Sequence, residues 1–305
     1  MKKTSYTIKT MTASLALALI LPGCADRLEP SRTGDTVITI EAAVSGTRAT
    51  LINGVDGLGD FKCSAYRAQD GTAVFEDKTV TKTDSRWVIQ SDRRYWWKSG
   101  ETLTFYAVYP ADQAGVVISK DGIAISNYTV PAVAQQKDIL LGSYSGTGNA
   151  GVAPVTFVHA LTALTVTKGD IESTIPGFTK VNSITVSGLY SGGSVSGWSG
   201  GSAVSWTGTG NTSFTPAFGD VLTLVPQNLA TKSVTVTVAY SAASGDGTIT
   251  AAISSGVFAA GSKNNITVNY KSVEVTYDGS SITVPAYGAG TSYEGDSSDT
   301  DTPWS

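Results

Sequence analysis

Histidine occurs once and cysteine twice in this chain of 305 residues, and only 15% of its residues are charged. One imidazole and two thiols cannot supply the Cys/His spacing of a zinc site. The lone His159 lies between Val158 and Ala160 in an apolar run, the setting of a hydrogen-bonded core residue and not of a catalytic base. Lys and Arg are too few for a nucleic-acid partner: the net charge is −4, and phosphate binding needs clustered cations. Gly192-Gly193 and Gly200-Gly201 lack the lysine and the strand-to-helix context of a phosphate loop. No Asp or Glu stands out as one of a catalytic carboxylate pair. These absences leave no catalytic, cofactor-binding or metal-binding residue to nominate, so neither a cofactor nor an enzyme is expected.

What the chain does have is glycine (33), tyrosine (13) and tryptophan (6), with abundant Thr, Ser and Val, a composition suited to β-sheets joined by tight turns. Asp70-Gly71, Asp121-Gly122, Asp246-Gly247 and Asp278-Gly279 each separate strand-like runs and offer the positive φ angles of two-residue hairpin turns. Only Gln135 to Leu141 has helical character. The expected fold is all-β, with two tandem antiparallel β-sandwich domains. The Gly/Ser loop from Gly142 to Asn149 separates the two sets of strands. The domains are therefore expected at residues 36–155 and 156–288, with a polar tail at 289–305.

The N-terminus reads as a secretory leader. Lys2, Lys3 and Lys9 precede an apolar core from Ala13 to Leu21, too short to span a membrane as a mature helix. Leu21-Pro22-Gly23-Cys24 resembles the lipobox of bacterial lipoproteins, which implies a signal peptide at 1–23, acylation of Cys24 and a polar tether over 24–35. Lipidation of Cys24 would leave Cys63 without a partner, and its place between Phe61 and Ala65 suits a small buried residue.

Folded structure begins at Thr36. Ile38, Ile40, Ala42 and Val44 alternate with Val37, Thr39, Glu41 and Ala43, the period of a half-buried strand over 36–45. Arg48 follows in the small, accessible context Gly46-Thr47-Arg48-Ala49-Thr50, where a protease could reach the backbone. The strand either is cut away there or stays in the sheet.

Arg93-Arg94-Tyr95-Trp96-Trp97 concentrates aromatic surface. Trp96 and Trp97 are candidate contacts for a glycan or protein ligand, with packing into the first sandwich as the alternative. The acidic residues Asp296, Asp299 and Asp301 of the tail lack the glycine and glutamate of a calcium loop and read as a solvated segment.

Six stretches in shared order carry a family resemblance: Thr47-Arg48-Ala49-Thr50, Leu103 to Pro110, Gln135 to Leu140, Val155 to Leu161, Leu222 to Gln227 and Phe258 to Lys263. With them the chain resembles the fimbrillins, type V pilus subunits and related surface lipoproteins of anaerobic Gram-negative bacteria. The resemblance implies transthyretin-like sandwiches, export to the outer membrane and a surface-exposed, fimbrial location. It also implies cleavage by an arginine-specific protease between Arg48 and Ala49. The gap left by the first strand would then be refilled by a C-terminal strand of the next subunit in a head-to-tail polymer. Two candidate donors remain open, Val273, Val275 and Tyr277, or Ile282, Val284 and Ala286. Partners implied are other pilin subunits, the membrane through lipid on Cys24, the protease, and a host or glycan ligand. The alternative function is a monomeric outer-membrane lipoprotein that binds glycan or host protein.

Overall fold

The computed structural model describes residues 34–45, 54–148, 151–201, 203–277 and 280–289. Its first half holds β1 (Thr36–Val37), β2 (Thr39–Val44), β3 (Phe61–Arg67), β4 (Ala73–Thr83), β5 (Arg86–Ile89) and β6 (Trp96–Trp97). Then come β7 (Thr102–Tyr109), β8 (Val116–Ser119), β9 (Gly122–Thr129), β10 (Leu140–Thr147) and β11 (Val152–His159). Seven of these close into a barrel in the order β10-β11-β2-β5-β4-β3-β7, with β7 returning to pair with β10. The all-β expectation holds, but where a sandwich was expected the first sheet joins its own edges. Closure leaves no open edge.

Period-2 alternation fills the barrel. Phe61, Cys63 and Ala65 on β3, Leu103, Phe105 and Ala107 on β7, and Ala153, Val155 and Phe157 on β11 are all fully buried. Phe61 stacks at 5.0 Å centroid distance on both Trp87 and Phe157. Gly142 is needed on β10, because a Cβ there would lie 2.8 Å from the Phe157 ring. The segment from Gln135 is not helical: a short 3₁₀ turn, Val133–Gln135, gives way to β10, since Leu140 and Leu141 are both buried in strand pairs.

The second half comprises β12 (Thr162–Lys168), β13 (Phe178–Leu189), β14 (Gly192–Trp198), β15 (Thr207–Thr209), β16 (Thr212–Phe214), β17 (Val221–Leu224) and β18 (Gln227–Asn228). It continues with β19 (Val234–Ala242), β20 (Gly245–Ile253), β21 (Val257–Phe258), β22 (Lys263–Val268), β23 (Ser272–Tyr277), β24 (Ser280–Pro285) and β25 (Tyr287–Ala289). Two five-stranded sheets result, β17-β12-β22-β23-β24 and β16-β13-β19-β20-β25. Leu164, Val166, Val236, Val238, Ile266 and Val275 are buried together in one core.

The halves are interlocked. Residue 155 lies inside β11, which belongs to the barrel along its whole length, so the change of sheet falls between His159 and Thr162 and not at 155. The β8–β9 hairpin of the first half also pairs with β14, through Gly192↔Thr129 and Val195↔Ile125. Tyr106, Leu141 and Val158 on the barrel's outer face join the core of the second half. Two pairings are parallel, β2 with β11 and β12 with β22, where the sequence led us to expect antiparallel sheets.

Candidate functional site

The first strand is bound unequally on its two sides. Six parallel pairs, Thr39↔Val152 through Val44↔Phe157, join β2 to β11. A single pair, Ile40↔Trp87, joins it to β5. At its ends the Thr39 N–H donates to the Gly151 carbonyl at 2.7 Å and the Ser45 N–H to that of Phe157 at 2.8 Å. Gly151 has φ 71°, and a Cβ there would meet the Val37 carbonyl at 2.5 Å, so only glycine lets β11 begin so close to β2.

Ile38 and Ile40 are 5% and 3% exposed, and Ala42 and Val44 pack less completely against the same barrel core. Thr39, Glu41 and Ala43 face out. Along the loose seam with β5 runs a groove of about 620 Å³, lined by Thr39 and Glu41 on one side and by Arg86, Trp87, Arg93, Arg94 and Tyr95 on the other. Cys24, Arg48 and Ala49 lie outside the described residues, as does the tail from residue 290.

The two candidate donor segments have different standing. In β23, Val273 and Val275 are fully buried, and the strand is flanked by β22 and β24. By contrast β24 pairs only with β23, at the edge of its sheet, and Ile282 and Val284 are half-buried while Thr283 and Pro285 face out. After the Ala286 N–H donates to the Lys271 carbonyl at 2.9 Å, the chain crosses to β25 on the edge of the other sheet. Proline fits such an edge, where no ladder donor is needed.

Trp97 is not at the surface. It is 1% exposed inside the barrel, 5.4 Å from Phe105, and its indole N–H donates to the Glu101 carbonyl at 2.8 Å. A π-face so enclosed can meet no ligand, which removes Trp97 as a contact residue. Trp96 is half-buried and pairs with Val37 of β1. Trp87 and Tyr95, themselves buried in the barrel core at 8% and 6% exposure, form the floor of the groove, with Lys82 5.8 Å from the first ring and Arg93 5.3 Å from the second. Tyr95 belongs to the aromatic run singled out in the sequence; what only the fold shows is that Lys82 and Arg93 come to one seam.

His159 ends β11 and pairs with Asp138, its Nδ1 2.7 Å from a carboxylate oxygen, with both side chains buried. Cys63 is enclosed in the barrel, and burial pushes its thiol far above the ordinary range, which leaves no reactive thiolate. Among the described residues no three His, Cys, Asp or Glu side chains gather as metal ligands.

A family model described as fimbrillin-like matches residues 47–284. No curated protein matches the chain in sequence. Among solved structures, a proposed cell adhesion protein from Bacteroides uniformis superposes with a TM-score of 0.54 at 14% identity, over 83% of this chain and 98% of that one. Another from Bacteroides ovatus gives 0.52 at 17% identity, over 82% and 97%. At these identities the likeness is one of fold.

Proposed function

This chain belongs to the fimbrillin-like family, and from that premise we propose that it is a cell-surface fimbrial subunit or adhesin that assembles head-to-tail by strand exchange. In this reading a protease cuts between Arg48 and Ala49, β1 and β2 depart, and β24–β25 of another copy take their place. The lipid on Cys24 carries the precursor to the outer membrane and leaves with the first strand.

The observation that carries the proposal is the unequal seating of β2, zipped to β11 by six pairs and to β5 by one. A strand so held can leave without unzipping two ladders. Its loss would uncover the sites of Ile38 and Ile40, whose burial contributes roughly 1.5–3 kcal/mol each. A donor must restore that burial.

The C-terminal strand has the sequence to do so. Ile38-Thr39-Ile40-Glu41-Ala42 is mirrored by Ile282-Thr283-Val284-Pro285-Ala286, with the large apolar residues at the same spacing and the polar ones between them. Laid in the same direction as β2, Ile282 replaces Ile38 and Val284 replaces Ile40. Pro285 then stands at the Glu41 position, where the period set by Thr39 and Ser45 turns the N–H toward β11. One ladder bond of about 1 kcal/mol is forgone there. Since β24 holds an edge and β23 a centre, donating β24 removes only the half-buried Ile282 and Val284 from the rim of the second core and leaves the buried Val273 and Val275 in place. This is β-augmentation, and because the contact is head-to-tail it propagates into a filament. The family match itself begins at residue 47, just past the strand that would be lost.

N-terminal mass spectrometry of the protein recovered from cell-surface fibres tests the reading. Chains beginning at Ala49 are expected. Fibres built only of chains beginning at Cys24 would overturn it and leave a lipid-anchored monomeric binder as the better account.

A further inference from the structure

We propose that a pocket between β18, β21 and the segment leading into β15 binds one ring of a neutral sugar, with Trp206 as its stacking platform. The pocket holds about 390 Å³ in the second half of the chain. Its wall includes Trp206, Ser205, Pro226, Gln227, Asn228 and Val257, and no Lys, Arg, Asp or Glu lines it.

Trp206 is held in place before any ligand arrives. Its indole N–H donates to the Ala160 carbonyl at 2.7 Å, and its ring meets that of buried Tyr128 at 5.4 Å. Gly193 lets it pack closely, since a Cβ there would lie 3.3 Å from the indole Cε3. The side chain is half-buried and its polar atom is already bonded, so what it offers the pocket is apolar ring. A platform fixed in this way loses little freedom on binding.

The opposite wall is a short ribbon. There β18 and β21 pair Gln227 with Phe258 and Asn228 with Val257, which sets an amide beside a valine that is 46% exposed. Asn228 accepts the Ala230 N–H at 3.0 Å through Oδ1, which leaves the Nδ2 of this exposed residue as a donor to solvent or ligand. Gln227 is only 5% exposed. Its Oε1 accepts the Tyr190 N–H at 3.2 Å, while its Nε2 is buried with no hydrogen-bond partner among the described residues. Buried donors are rarely left so. A hydroxyl seated in the pocket would satisfy it directly or through a water.

The lining selects the ligand class. Without a charged group it has nothing to hold a phosphate or a carboxylate. A pyranose fits: the axial C–H bonds of one face lie on an indole, and hydroxyls at the ring edge reach Asn228, Ser205 and Gln227. Small molecules bind in pockets of this kind, mostly apolar with a few placed polar groups. A wholly apolar occupant would leave the Gln227 donor unanswered and take that of Asn228 out of water. No residue of β1, β2, β24 or β25 takes part, so the site stands apart from strand exchange.

Saturation-transfer NMR on the full chain tests the pocket with lactose, cellobiose and N,N′-diacetylchitobiose. At least one should bind, with the strongest transfer to its ring C–H protons. Trp206→Ala removes the platform, and Asn228→Asp keeps the acceptor for Ala230 but removes the donor; each should weaken binding by about tenfold or more. Because Trp206 also bonds Ala160, a lowered unfolding midpoint disqualifies its variant, and the exposed Asn228 then decides. No transfer to any of the three sugars, or binding unchanged in Asn228→Asp, overturns the proposal. Transfer to a capped trivaline peptide and to none of the sugars overturns it too and makes the pocket a protein-docking groove. Oligomer ladders report separately: a ladder without sugar binding sinks this proposal alone, and sugar binding without a ladder sinks strand exchange alone.

Discussion

His159 Nδ1 and an Asp138 carboxylate oxygen meet at 2.7 Å where the barrel hands the chain to the second half. Around them the Ala160 N–H donates to the Ile139 carbonyl at 2.8 Å, and the Ala160 carbonyl accepts from the Trp206 indole at 2.7 Å. The junction is thus gripped from both sides. Replacing Asp138 by Ala leaves the buried imidazole Nδ1 without its partner and should lower stability by about 1–3 kcal/mol. Asp138→Asn, which keeps an acceptor oxygen, should cost less. Urea unfolding midpoints of the two variants decide it, and equal losses would mean that packing and not the polar pair matters.

Trp97 fills the barrel beside Phe105 and Tyr144. Truncation to Ala should destabilise the fold by about 3–5 kcal/mol. A variant that unfolds like the parent yet loses binding to a glycan array would return this residue to the surface role that its burial denies.

Ile282→Asp with Val284→Asp places two charges on an edge strand whose apolar residues are only half-buried. The monomer should keep a cooperative unfolding transition, since β22 and β23 hold the core. Detergent-resistant oligomers should disappear. If the ladder survives, β24 is not the donated strand.

Alkali should unfold the protein earlier than its charge alone suggests. Burial holds the Tyr66 phenol, which donates to the Ile118 carbonyl at 3.0 Å, up at about 12, and raises Tyr106, Tyr128 and Tyr240 as well. An unfolded tyrosine ionises near pH 10, so above that pH the unfolded chain releases protons that the folded one retains. The stabilisation is complete below about pH 10 and is lost as pH rises through 12. Denaturant midpoints at pH 8.5 and 11.5 should fall steeply for the parent and less for Tyr66→Phe. A flat profile would contradict the burial.

Much of this was legible beforehand. The alternation of Ile38, Ile40, Ala42 and Val44 is visible in the chain and reappears as the inward face of β2. Asp70-Gly71 lies in the turn between β3 and β4, longer than two residues, with Gly71 at φ 71°, and Asp121-Gly122 straddles the end of its turn, since Ser119↔Gly122 makes Lys120 and Asp121 the two turn residues. Asp246-Gly247 marks no turn: the register Ala242↔Gly245 puts Ala243 and Ser244 in the turn, and Gly245, at φ 111°, supplies the positive angle instead. Asp278-Gly279 lies outside the described residues.

Parallel pairing and barrel closure were illegible for a physical reason. Each depends on which distant strand a strand finds, and the period of its own residues is the same either way. The groove is a case in point, because Lys82, Trp87 and Arg93 look unrelated until β2 and β5 part beside them.

The parallel ladder between β2 and β11 also has a mechanical side. In the proposed filament the donated strand takes the place of β2 beside β11, so a pull from the ends would load that ladder along the strand axis and its pairs would bear the tension together. The chain then passes straight from β11 through Ala160 and Leu161 into β12, itself in a parallel ladder with β22. Tension would run through two shear-loaded joints in series, with the Asp138–His159 pair riveting the short segment between them.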